Sequence, residues 1–154
     1  MSEVQPKSPV ARDADAGVAP MFAAGGLVIT GVMHALLGAT FLVNFVMEST
    51  EWAFVYVITG GGVTAVALAW FVGAARPWAV VSAAVLVPVL GLTSLGFTVW
   101  GLWNGALALY SLFAPPSAAF ALMTVLVALG PTLRAARAQR AIDHRYGSGS
   151  MFGG

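Results

Sequence analysis

Cysteine is absent from this 154-residue chain, and charge is scarce. Without cysteine there is no disulfide, no thiolate metal site and no cysteine nucleophile. Charged residues make up 8% of the sequence, about a third of the ~25% usual in soluble domains. They are also unevenly placed. Between residues 21 and 133 only Glu48, Glu51 and Arg76 carry formal charge, and the rest lie in the two tails. A core of this size in water needs a charged shell, and none can be built. That excludes a water-soluble globular domain, a nucleic-acid binder and a disordered chain.

What is present is apolar. The chain is 59% hydrophobic, has 18 glycines and a mean hydropathy of +0.88. The expected fold class is all-α: a polytopic membrane protein, a four-transmembrane-helix bundle with short loops and with both termini cytoplasmic. Residues 1–20 are polar, contain three prolines and show no apolar period, so a disordered cytoplasmic tail is expected there. A span needs about 20 apolar residues. Met21 to Met47 supplies one and Trp52 to Ala75 a second. Pro77 to Leu133 carries no formal charge, and as one helix would be ~86 Å long, so it folds back into two more.

The expected spans are thus about 21–47, 52–75, 77–100 and 106 or 116 to 133. Thr50 suits a cap for span 2, with Glu51 in its first turn. Gly73 suits the end of span 2 and Pro77 the start of span 3. Gly101 to Gly105 reads as the third turn. Pro115 and Pro116 would then fall inside span 4, against the carbonyls of Ser111 and Leu112. A helix break at these prolines is therefore expected, with a short helical piece before it. Residues 134–154 read as a basic helical extension followed by a flexible Gly/Ser end.

Orientation follows from the basic residues. Lys7, Arg12, Arg76, Arg134, Arg137, Arg140 and Arg145 all fall on one side when both tails are cytoplasmic. This is the positive-inside pattern, and it requires an even number of spans. Trp52, Trp70, Trp78, Trp100 and Trp103 lie near span ends, as interface anchors do. Arg76, Arg134, Arg137, Arg140 and Arg145 are expected at lipid headgroups. Arg outnumbers Lys six to one and Ala and Gly abound, which points to a bacterial plasma (inner) membrane.

Candidate site residues lie on span 1. His34 is the one ionisable group deep in a span, and such residues are functional candidates. Thr30, His34, Leu37, Phe41, Asn44 and Glu48 recur at heptad spacing and share one face. The structural reading is an interhelical face held by hydrogen bonds, with His34 bonded to a hydroxyl such as Ser94 or Thr98. The functional reading is a pathway from Glu48 at the outer surface towards His34. Ala24, Gly31 and Gly38 repeat every seven residues, and span 2 carries Gly60, Gly61 and Gly62; such residues let backbones approach. No second buried histidine offers a haem site, no phosphate loop or metalloprotease motif occurs, and no cofactor is expected. The motifs tie the chain to no known family.

Two functions are carried forward. The first is a non-enzymatic membrane protein acting as an accessory subunit, assembly factor or scaffold through helix–helix packing. Its partners would be the lipid bilayer, other membrane proteins or further copies of itself. The second is an oligomeric small channel or transporter using the polar stripe of span 1. A stripe buried dry among the helices favours the first, and a wet cleft open to Glu48 the second.

Overall fold

The computed structural model describes residues 9–44, 49–105 and 109–147. They form four helices: α1 (Pro9–Asn44), α2 (Ser49–Gly73), α3 (Pro77–Trp103) and α4 (Leu109–Gly147). Each contains a stretch long and apolar enough to cross a membrane: Val18–Val43, Trp52–Gly73, Pro77–Trp103 and Leu109–Ala138. These are the lengths and compositions of a multi-pass membrane bundle. Short links make successive helices antiparallel. α1 packs on α2 and α4, α3 packs on α4 and more lightly on α2, and α1 meets α3 only across the diagonal.

The core divides by depth. At the end near both tails it is small and aliphatic: Ala23 and Leu27 of α1, Ala65 and Ala69 of α2, Ala83 and Val87 of α3, Ala121 and Val125 of α4. Alanine at these positions lets four helices crowd together, which is how membrane helices gain contact without a water-driven force. At the other end the core is bulkier, with Leu37, Phe41, Val55 and Ile58 closed by Phe97 and Tyr110. Phe41 packs on Phe97 at 4.9 Å between ring centroids, and Phe54 meets Phe97 edge-on at 5.9 Å. A polar layer lies between the two.

Two expectations are corrected. Residues 9–20 belong to α1 rather than to a disordered tail; residues 1–8 lie outside the described residues. Pro20 lies buried inside α1, which runs through it without a break. The expected break at Pro115 and Pro116 does not occur either, since α4 is continuous from Leu109. Its start is therefore close to the earlier of the two expected positions. The reason is tertiary. Pro115 leaves the Ser111 carbonyl without its usual donor four residues on, and the Thr98 hydroxyl of α3 donates to that carbonyl at 2.6 Å. Proline is tolerated in membrane helices where a neighbouring hydroxyl takes over in this way.

The α2–α3 turn keeps its expected helix ends. Helix α2 does end at Gly73, but the left-handed residue is Ala75, at φ 53. Ala75 N–H bonds Val72 O at 2.9 Å and Arg76 N–H bonds Phe71 O at 3.0 Å, the paired reverse bonds of a left-handed helix cap. Arg76 then caps α3 in an extended conformation, with Pro77 at the first helical position. A Cβ in the left-handed region costs about 1 kcal/mol. Ala75→Gly is therefore expected to stabilise the bundle by about 0.5–1 kcal/mol in an unfolding titration in detergent. A loss of stability would show that the turn is set by something other than this cap. At the third turn α3 runs on to Trp103, past the expected end at residue 100. It closes through Asn104, whose side-chain amide donates to Trp100 O at 2.9 Å, and Gly105 at φ 65.

Candidate functional site

The polar layer is built on α1. Its 3.6-residue period brings Thr30, His34, Leu37 and Phe41 to one face, and all four are 0–2% exposed. The stripe therefore points into the bundle. Asn44 ends α1, but its side chain lies outside the described residues, as does Glu48 altogether. Glu51 and Thr50 fall in the first turn of α2, so Thr50 is inside the helix rather than at its cap.

Thr30 and His34 each find backbone carbonyls. Thr30 Oγ1 donates to Ser117 O of α4 at 2.8 Å. The His34 ring lies between two acceptors, with Nδ1 2.7 Å from Thr30 O and Nε2 3.2 Å from Leu90 O of α3. A neutral imidazole has one N–H to donate, so one tautomer closes a turn of α1 and the other ties α1 to α3 across the diagonal. The expected hydroxyl partners are engaged elsewhere: Ser94 donates to Gly91 O at 3.0 Å, and Thr98 lies between Ser94 O and Ser111 O. This corrects the sequence expectation for His34. Carbonyl partners carry no side-chain signature, which is why residue types alone could not find Leu90 or Ser117. The Thr98–Ser111 bond did leave a trace, since a proline four residues after Ser111 marks a carbonyl in need of a donor.

The layer is closed on both sides. Leu37 and Phe41 fill the bundle beyond His34, and Phe41 packs against Phe97 and Trp100. Leu27, Val87 and Leu90 fill it on the other side. Among the described residues no group of three or more His, Asp or Glu side chains could hold a metal ion.

The small residues fall into two groups. Gly31 and Gly62 face each other where α1 crosses α2. A Cβ on Gly31 would stand 2.5 Å from Gly62 O, and one on Gly62 would stand 2.7 Å from Gly31 O and 2.8 Å from Ala35 N. A Cβ on Gly38 would run into Thr59 Oγ1, and one on Gly61 would meet the flexible end of Leu90 at 2.6 Å. Gly60 is different: its Cβ position is open and it faces outward. Thr59 Oγ1 is buried without a hydrogen-bond partner. Its place over the bare Cα of Gly38 is that of a weak C–H···O contact, as found where helix backbones meet.

Arg76, Arg134 and Arg137 are exposed. Arg140 and Arg145 lie on α4, with side chains outside the described residues. Trp70 and Trp78 project at the end near the tails, Trp100 and Trp103 at the other, and Trp103 is 89% exposed. His34→Leu is expected to fold but to lose about 1 kcal/mol, the scale of one interhelical hydrogen bond in a membrane. Unfolding in mixed micelles checks this. Stability equal to that of the unaltered chain would mean that the imidazole ties no helices. Comparison with known proteins finds no matching family model, no matching curated protein and no matching solved structure.

Proposed function

We propose that this chain is a small, non-enzymatic integral membrane protein that acts through helix–helix packing, as an accessory subunit, assembly factor or scaffold. Both tails lie in the cytoplasm, and the membrane is a bacterial plasma membrane. The observation that carries the reading is the direction of the polar stripe. Thr30 and His34 are fully buried and bonded to carbonyls, so span 1 uses its polarity to hold its own bundle together. The surface left for other molecules is aliphatic and aromatic, with open glycines at Gly25, Gly60 and Gly96 where another helix could come close. An oligomeric channel would be lined by that outward surface, and Thr30 and His34 are not on it.

Mild-detergent purification from native membranes tests the role. The expected result is another membrane protein, or further copies of this chain, retained in fixed ratio. Ion flux in liposomes holding this protein alone, abolished by His34→Leu with stability unchanged, would replace the packing role with transport. The orientation rests on the one-sided basic residues. A cysteine at Ser49, in a chain with none of its own, is expected to react with an impermeant maleimide from outside the cell. Labelling from the cytoplasmic side alone would reverse the topology.

A further inference from the structure

We propose that the groove between α1 and α4, at the end near both tails, binds one anionic glycerophospholipid. An acyl chain lies in the groove and the phosphate rests on Arg134 and Arg137. The groove has walls of Val18, Ala19 and Phe22 from α1 and Phe120, Met123 and Val127 from α4. Its volume of about 600 Å³ falls within the ~300–1,000 Å³ of small-ligand sites. The walls are open to the outside: Phe22 is 64% exposed, Met123 70% and Val127 66%. The one polar lining group, the Thr124 hydroxyl, donates to Ala121 O of its own helix at 2.9 Å. The groove therefore offers dispersion contact to a flexible alkyl chain and no free hydrogen-bond donor to a polar ligand.

Charge enters where the groove ends. Phe120, Val127 and Arg134 follow one another at seven-residue spacing, and so do Met123, Gly130 and Arg137. Seven residues are nearly two turns, so the basic residues continue the groove's own face, ~10 Å further along the axis. Gly130 leaves a bare patch between them. Arg134 Nη2 lies 3.9 Å from the position a Cβ on Gly130 would take, so the guanidinium folds back along the helix towards the groove. A guanidinium fork suits a phosphate, and two of them within one turn suit a phosphodiester at headgroup depth. Apolar contact with bulk lipid would need neither arginine. An alkyl slot that leads to two exposed arginines selects a molecule with both parts. The inference depends on the chain lying in a bilayer, and not on its packing role.

The test uses the full-length protein in a non-ionic detergent. Native mass spectrometry follows titration with phosphatidylglycerol, with phosphatidylcholine of the same chains, and with inorganic phosphate. Retention of phosphatidylglycerol is expected to exceed that of phosphatidylcholine by about tenfold, the scale of one to two basic contacts at an anionic headgroup. R134Q/R137Q is expected to abolish that preference, and inorganic phosphate to leave the bound lipid in place. Equal retention of the two lipids, a preference undiminished in R134Q/R137Q, or displacement by inorganic phosphate would each overturn the proposal. A phosphatidylglycerol with a photoreactive acyl tail gives an independent reading on the unaltered chain. Crosslinks are expected at Phe22 and Met123. Labelling spread evenly over the outward faces of α2 and α3 would overturn it.

Discussion

Gly62→Leu is expected to take the bundle apart, while Gly60→Leu two residues away leaves it intact. At Gly62 the first added carbon already meets backbone, 2.7 Å from Gly31 O and 2.8 Å from Ala35 N. Backbone atoms cannot rotate aside as a side-chain end can. α1 and α2 must then separate, which disturbs Gly31, Gly38 and the His34 ring packed beside them. Overpacking costs about 1–3 kcal/mol, and a rigid contact on both sides places Gly62→Leu at the upper end, about 3 kcal/mol. At Gly60 nothing lies within 4 Å of the added carbon, and leucine is the better helix former. That change is expected to be neutral or slightly stabilising, within about 0.5 kcal/mol. Denaturation in mixed micelles, followed by circular dichroism, measures both. Equal losses at the two positions would mean that α1 and α2 do not approach through Gly62.

Thr98→Val is expected to cost about 2 kcal/mol, more than the average interhelical hydrogen bond in a membrane, ~0.6 kcal/mol. The difference comes from the acceptor. Most carbonyls in a helix keep their own partner when a side-chain donor is removed. Ser111 O does not, because Pro115 has no N–H to give. Valine keeps the shape of threonine and removes from that carbonyl a donor that its own helix cannot replace, at about 1–3 kcal/mol. The assignment is checked by repair. In a Pro115→Ala background the helix regains its own N–H, and Thr98→Val is expected to cost only about 0.5 kcal/mol. The coupling of about 1 kcal/mol or more is the signature of two groups serving one acceptor. If Thr98→Val costs the same in both backgrounds, the hydroxyl is not what carries α4 through Pro115.

The sequence alone determined the class of the molecule. The shortage of charge, the lengths of the uncharged runs and the punctuation at Arg76-Pro77 and in Gly101 to Gly105 led to four membrane-length helices with tight links, and four such helices are present. Those signals are local or compositional, so no folding of the chain is needed to read them. The heptad of Thr30, His34, Leu37 and Phe41 likewise placed these residues on one face, because helical period is a property of the backbone.

The tertiary structure decided what that period leaves open. It turned the stripe inward, since a face is defined by spacing but its direction depends on which neighbours surround it. Gly62 became a contact point and Gly60 a surface position, although the two stand in the same run. His34 received carbonyls for partners in place of hydroxyls, because every residue has a carbonyl and none announces it in the sequence. The left-handed position went to Ala75, two residues past the helix end at Gly73, since the cap is fixed by where α2 and α3 must meet. The largest difference is at Pro115 and Pro116. Read by themselves they end a helix, because proline removes a donor from the chain that contains it. Here the donor that Pro115 lacks comes from Thr98 on a different helix, and only the packing of α3 against α4 brings the two together.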